Sequence, residues 1–121
     1  MITVGAAVLW DTISHNIGNG YSTSTGRFTA PVAGRYFFSC GVRFNANGCT
    51  YTQATLAVNG SNTFQGLYSN CTQTGTTYST PSWSGILNLA AGDYVTVSGN
   101  YSGGNGSYSG YESWFSGHLI G

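Results

Sequence analysis

The chain has 121 residues, of which 40% are hydrophobic and 15% aromatic, with 19 glycines, three arginines, no lysine and three acids. A neutral, weakly charged surface offers neither counterion release to nucleic acid nor a basic stripe for anionic membranes, so we expect no nucleic-acid partner and no membrane insertion. The abundance of Gly, Ser, Thr and Asn beside β-branched and aromatic residues disfavours helix, and the length suits one domain, 1–121, predicted to be all-β.

The N-terminal third is predicted to lead into a central strand. The opening MITVGAAVLWD lacks a basic n-region and a clear cleavage site, so we do not expect a signal peptide. A first strand is predicted at 4–10, a loop at 16–20 and a returning segment at 21–28. In the next strand, 36–44, alternate positions are all apolar or aromatic: Tyr36, Phe38, Cys40, Val42 and Phe44. A period of two makes these positions one buried face of the strand.

The second half is predicted to be a series of strands separated by polar loops. Residues 51–58 alternate and end at Asn59-Gly60, which predicts a hairpin with 63–68. The remaining predicted elements are a loop at 69–82, a strand at 83–89, a turn at 90–93, a strand at 94–100, a glycine-rich loop at 101–110 and a last strand at 111–120. Strands 51–58 and 94–100 are predicted to have one wet face, whereas 36–44 and 111–120 carry apolar or small residues on both faces.

A spaced set of aromatic, Asn, Phe, Gly and Tyr positions carries a family resemblance. Its members are Trp10, Asn16, Tyr21, Phe28, Gly34, Tyr36 and Phe38. The set resembles the pattern of the globular head of complement C1q and its relatives, which share a fold with tumour necrosis factor. The resemblance resumes at 92–97 and 115–119, although Trp10 stands where Phe is usual and Cys40 where Phe or Tyr is usual. It implies a two-sheet antiparallel jelly-roll sandwich.

The resemblance also implies a homotrimer. A strand that is apolar on both faces needs cover on both sides, and the C1q-like family supplies that cover as three copies around a threefold axis. We therefore expect an interface that includes Phe37, Phe115 and Leu119.

Three predicted loops should meet at one end of the molecule, because successive connections of an antiparallel meander alternate ends. These loops, 45–50, 69–82 and 101–110, would form a tip rich in Tyr, Asn, Ser, Thr and Gly, a composition similar to that of antibody paratopes. The predicted ligand-binding residues are Tyr51, Tyr68, Asn70, Tyr78, Tyr101, Asn105 and Tyr108. A cell-surface glycan is the expected ligand class, because tyrosine rings can stack on sugar faces. The alternative is that these are ordinary loop residues.

The three cysteines divide into one strand residue and two loop residues. Cys40 should point into the core, whereas Cys49 and Cys71 lie in loops at the same predicted end, which favours a disulfide between them. The alternative is three free thiols in a protein that folds in a reducing cytoplasm.

Catalytic and metal motifs are not found in the sequence. It contains no nucleophile elbow, no phosphate-binding glycine loop and no closely spaced Cys/His set, so we expect no catalytic residue, no enzyme activity and no cofactor. His118 would occur three times in a trimer and could bind a metal, but a lone His in an apolar strand more often packs. Some C1q relatives bind calcium through acids at the tip, which these loops lack, so we predict no metal site.

Two functions from different classes remain. The first is a virion fibre, tail or capsid-decoration protein that mediates host attachment from the virion surface. Its expected partners are further copies of itself, a fibre stalk or capsid, and a cell-surface glycan. The second is a secreted, extracellular C1q-like recognition or signalling head. The absence of Lys and the scarcity of charge favour the first.

Overall fold

The computed structural model of the chain describes residues 20–47, 51–70, 78–102 and 105–121, with the side chains of 20–44, 51–61, 79–101 and 113–121. The regular elements in these ranges are β1 (Tyr21–Ser22), β2 (Arg27–Thr29), β3 (Gly34–Asn47), β4 (Tyr51–Val58), β5 (Ser61–Asn70), β6 (Tyr78–Ser79), β7 (Ser82–Leu89), β8 (Tyr94–Ser102) and β9 (Asn105–Leu119). The predicted all-β class is confirmed. The predicted first strand, 4–10, lies outside the described residues.

Five strands form one antiparallel sheet in the order β1-β2-β8-β4-β5. The hairpin between β4 and β5 turns through Asn59 and Gly60, whose φ values are 52° and 82°. Positive φ at both positions is the signature of the tight hairpin turn that Asn-Gly favours. The predicted hairpin is therefore confirmed.

The second sheet is built around β3. Strand β7 pairs with one side of β3 and β6 pairs near its C-terminal end, while β9 pairs along the other side. This four-stranded sheet packs on the five-stranded one, so the predicted two-sheet antiparallel sandwich is confirmed.

The core lies between the two sheets. The alternating side chains Tyr36, Phe38, Cys40, Val42 and Phe44 of β3 are all buried, as predicted. They share one cluster with Leu56, Val95 and Val97 of the five-stranded sheet. The Phe28 ring meets the Phe38 ring edge-on at 5.4 Å between centroids.

The side of the five-stranded sheet that faces away from the core is less exposed to solvent than predicted. Thr55, Ala57 and Ser98 lie on the side away from the core, and Thr55 is only 1% exposed. The prediction of a solvent-exposed face is wrong at these three positions, which are all buried. Asn100 Nδ2 donates to Thr55 Oγ1 at 3.2 Å, which satisfies the buried hydroxyl.

Strand β9 is longer than predicted and contains an irregularity. It begins at Asn105 instead of 111, and its register with β3 shifts so that Trp114 lies opposite Gly41 while Ser109 lies opposite Arg43. Residues 110–113 therefore stand opposite Val42 alone, and Arg43 N donates to Ser113 Oγ at 2.9 Å. In the described ranges, the chain contains no helix long and apolar enough to cross a membrane.

Candidate functional site

Six strand ends of the described chain lie at one end of the sandwich, and we call this end the tip. Strands β3, β5 and β8 finish there, at Asn47, Asn70 and Ser102, while β4, β6 and β9 begin there. Parts of all three predicted loops lie in strands, because β3 extends to Asn47, β5 to Asn70 and β8 to Ser102. The prediction that 101–110 is a loop is wrong, since only 103–104 separates β8 from β9.

One group of predicted ligand residues lies at the tip of the five-stranded sheet. Tyr51 of β4 is opposite Asn70 of β5, and Gln53 is opposite Tyr68. On the other side of β4, Thr52 is opposite Tyr101 of β8. The register therefore brings Tyr51, Tyr68, Asn70 and Tyr101 onto neighbouring positions of three adjacent strands. Of these, the Tyr101 side chain packs partly against the core.

The other predicted ligand residues lie at the tip of the four-stranded sheet. Tyr78 is opposite Asn45, Tyr108 is opposite Phe44, and Asn105 is opposite Asn47. Their backbone positions lie on β6 and β9, which flank the last residues of β3. The seven residues thus divide into two groups, one at the same end of each sheet.

A buried hydrogen bond links the strands that carry the two groups. Thr52 Oγ1 lies 2.8 Å from Ser79 Oγ, and both side chains are buried. Thr52 follows Tyr51 directly in β4, and Ser79 follows Tyr78 directly in β6. Because a buried hydroxyl pair is costly to break, this contact fixes the start of β4 against β6. It therefore links the backbone next to Tyr51 with the backbone next to Tyr78.

The outer face of the four-stranded sheet is a second candidate surface, and we call it the outer face. Phe37 of β3 lies opposite Ile86 of β7 and His118 of β9. Ile86 is 57% exposed, Trp114 43% and Ile120 44%. Exposed large apolar side chains on neighbouring strands form the kind of patch that marks an interaction site.

Two of the three predicted interface residues do not lie on the outer face. Phe115 is opposite the buried Cys40, and its ring stacks on Phe38 at 6.0 Å, so it packs against the core. Leu119, at the end of β9, is opposite the buried Tyr36 and so lies on the core side of the sheet, although its own side chain is 48% exposed. Only Phe37 is placed on the outer face. Both faces of 111–120 are apolar, so the alternation of this strand did not show which face meets the core. The register between β3 and β9 shows it.

Trp114 shows how the outer face is built. Its indole ring lies across Gly41, where an added Cβ would come within 2.3 Å of the ring. Trp114 Nε1 donates to Ser39 Oγ at 3.0 Å. The glycine lets the ring lie flat on the sheet, and the hydrogen bond fixes its orientation.

Of the three cysteines, only Cys40 lies within the described residues. Cys40 is buried and free, as expected for a core residue, and burial raises the pKa of its thiol to about 11. A backbone hydrogen bond at Trp83 opposes that shift. Cys49 and Cys71 lie outside the described residues, so their disulfide stays a prediction.

Within the described residues, no three His, Cys, Asp or Glu side chains gather into a group that could hold a metal ion. His118 lies on the outer face with its ring 5.6 Å from the Phe37 ring. The imidazole therefore contacts an apolar neighbour in the single chain.

Comparisons with known proteins agree with this geometry. The sequence profile of the C1q domain family matches residues 2–120. The fold is similar to that of the globular domain of the zebrafish complement 1qA protein, with a TM-score of 0.72 and 17% sequence identity over 98% of this chain and 87% of that one. The fold prediction, a C1q-like jelly-roll sandwich, is thus confirmed. The chain belongs to the C1q domain family, whose members are in general non-enzymatic recognition modules.

Proposed function

We propose that the chain is a single-domain, non-enzymatic binding module that works as a homotrimer and recognises its ligand at the tip. The observation that carries this proposal is the register, which brings seven Tyr and Asn residues to the same end of both sheets. The Thr52–Ser79 hydrogen bond links the strands that carry the two groups. No charged residue is among the seven.

The outer face supports the trimer. Ile86, Trp114 and Ile120 expose apolar surface. Its removal from water would stabilise an assembly by about 25 cal/mol per Å². C1q domains generally self-associate as trimers, so a second and third copy are the occupants that we propose for this face. The interface we propose therefore keeps Phe37 and replaces Phe115 and Leu119 with Ile86, Trp114 and Ile120.

A cell-surface glycan is the ligand class that we propose. Sugars present apolar faces edged by hydroxyls, and tyrosine rings and Asn side chains complement these two features. A neutral protein suits an uncharged ligand because association then depends on fit and on three linked sites more than on electrostatic steering.

For the biological setting we propose a virion fibre, tail or capsid-decoration protein that attaches to a host surface. The support is compositional: no Lys, few charges and abundant Gly, Ser, Thr and Asn. C1q domains are typically extracellular, which also suits the second candidate, a secreted recognition or signalling head. The neighbouring genes distinguish the two settings, since virion structural genes support the first and a eukaryotic locus supports the second.

The tip is tested with tyrosine variants at opposite ends of the molecule. We expect Tyr51→Ala and Tyr78→Ala each to weaken glycan binding about tenfold or more, because truncating an aromatic anchor removes most of its contact area. Tyr94→Ala is the matched control, since Tyr94 lies at the opposite end of β8 from the tip. Binding is measured on a glycan array and on candidate host cells, after light scattering has shown an unchanged mass.

Two results would contradict recognition at the tip. One is unchanged binding by both tip variants with the assembly intact. The other is an equal loss of binding in the Tyr94→Ala control, which would move the site away from the tip.

A further inference from the structure

Two turns meet at the end of the sandwich opposite the tip, and we call residues 59–60 and 90–94 the base junction. Asn59 Nδ2 donates to Asp93 Oδ1 at 2.9 Å, and Tyr94 N donates to Asn59 Oδ1 at 3.0 Å. Asp93 Oδ2 accepts from Ala90 N at 2.8 Å. The Asn59 carboxamide is thus bonded at both its nitrogen and its oxygen, and it links the β4–β5 turn to the β7–β8 turn.

Asn59 is followed by Gly60, and this pair has a chemistry of its own. The backbone nitrogen of Gly60 can attack Cγ of Asn59, because glycine has no side chain to obstruct the approach. A bond forms between that nitrogen and Cγ, the Cγ–Nδ2 bond breaks, and ammonia leaves with the proton from the backbone nitrogen. Water then opens the resulting succinimide ring to aspartate or isoaspartate. No oxidant or reductant is needed.

We propose that Asn59 is a deamidation site which the base junction protects, and that its conversion to aspartate prevents the junction from closing again. Asn59 and Gly60 are both exposed, so water reaches them. The two hydrogen bonds, however, hold the carboxamide toward Asp93 and Tyr94. Attack by the Gly60 nitrogen requires the carboxamide to turn away from both partners, so the reaction proceeds only from an open junction.

The product does not fit the junction. The new aspartate would have an oxygen where Asn59 has the nitrogen that donates to Asp93 Oδ1 at 2.9 Å. Two carboxylates would then face each other at hydrogen-bond distance, and like charges this close repel. The modification therefore converts a link between two turns into a repulsive contact.

The sequence supplies internal references for a rate measurement. Asn-Gly occurs at Asn19, Asn47, Asn59 and Asn105. Full-length protein is held at mildly alkaline pH, folded or in urea, and deamidation at each pair is followed by peptide mass mapping. We expect Asn59 to react about tenfold more slowly in the folded chain than in urea, the factor that about 1.4 kcal/mol of hydrogen bonding corresponds to. Equal rates at Asn59 in both conditions would overturn the proposal.

Asp93→Ala isolates the junction because it keeps the Asn59-Gly60 pair and removes its acceptor. We expect faster deamidation at Asn59 alone. An unchanged Asn59 rate in this variant would also overturn the proposal. Acceleration of all four pairs to their rates in urea would show that the variant does not fold, and the variants below then decide.

Exchanging the amide and the carboxylate between positions 59 and 93 tests directly whether the aspartate product fits the base junction. Asn59→Asp should unfold at a lower denaturant concentration than the unmodified chain. Adding Asp93→Asn should restore stability, since the new amide at position 93 can donate to the new carboxylate at position 59 and still accept from Ala90 N. The Asp93→Asn single variant is the reference. If Asn59→Asp is as stable as the unmodified chain, or if the double variant shows no rescue, the product fits the junction and the proposal is wrong.

Discussion

At the scale of single residues, two charged side chains, Arg27 and Asp93, support a ring contact and a turn. The Arg27 guanidinium lies 4.0 Å from the centre of the Tyr94 ring. Asp93 accepts hydrogen bonds from Asn59 and Ala90, and both contacts favour the charged carboxylate. A chain with three acids thus uses one of them to organise the end of the sandwich opposite the tip.

The first prediction concerns the pH dependence that Asp93 confers. The hydrogen bond from the Asn59 side chain, followed by that from the Ala90 N–H, lowers the pKa of Asp93 below its ordinary value of 3.8. A carboxyl whose pKa is lower in the folded state stabilises the fold above its unfolded pKa, and this stability is lost as pH falls through the folded pKa. We therefore expect the stabilising contribution of Asp93 to begin to fall as the pH drops to about 4 and to be lost completely only below the folded pKa.

The measurement compares the unmodified chain with Asp93→Asn by urea unfolding between neutral and strongly acidic pH. The difference in unfolding free energy between them should shrink as the pH is lowered, because the amide that replaces the carboxyl does not titrate. Other carboxyls titrate in both chains and cancel in the difference. A constant difference at every pH would show that Asp93 is not held as a carboxylate by these contacts.

At the scale of elements, the long antiparallel contact between β3 and β9 holds much of the four-stranded sheet together. Gly117 lies opposite Phe38 in this contact, and a Cβ at Gly117 would come within 2.5 Å of two Phe38 ring atoms. Phe38 is fully buried. The strand therefore needs a residue without a side chain at this position, for reasons of space.

The second prediction follows from that close approach. Gly117→Ala should destabilise the fold by about 1–3 kcal/mol, because a packed core has no room for an extra methyl group. Phe38→Leu removes ring atoms at the point of overlap, so the double variant should lose less than the sum of the two single losses. A coupling of at least about 0.5 kcal/mol is expected in chemical unfolding. Strict additivity would mean that the ring is not the obstacle.

The same contact shows what the sequence could and could not predict. The buried face of β3 follows from alternation alone, since its outward positions include Ser39 and Gly41 while its inward ones are uniformly apolar or aromatic. The Asn-Gly hairpin follows from local turn chemistry. Residues 105–110, in contrast, are rich in glycine and gain strand structure from pairing with β3, a contact far apart in sequence.

The candidate sites show a similar division. That Tyr and Asn residues gather at one end followed from counting strand reversals. Which face of β9 meets the core did not, because Phe115 and Trp114 are both large aromatics on neighbouring positions. That choice depends on the register of β9 with β3, together with the shift between Gly41 and Arg43. Cross-strand register is decided by the whole core and is not visible in the pattern of one strand.

At the scale of the whole molecule, a neutral protein with an apolar outer face has little to keep its copies apart. Net charge normally opposes association, and here the formal net charge is zero. The exposed Ile86 and Trp114 lie on one side of the four-stranded sheet, and the exposed Ile120 directly follows β9. Self-association through this side would cover them and leave the tip accessible.

The last prediction tests that assembly. The unmodified chain should scatter light with about three times its 12.7 kDa mass at micromolar concentration. Ile86→Arg should reduce the mass to that of a single chain, because three buried guanidinium groups without partners would each cost several kcal/mol, about the desolvation cost of an unpaired charge. Val32→Arg is the matched control, since Val32 is a similarly exposed aliphatic residue that precedes β3 and lies outside the sheet. We expect its mass to remain that of the trimer. A single-chain mass for the unmodified protein would refute the trimer, and an unchanged mass for Ile86→Arg would place the interface on another face.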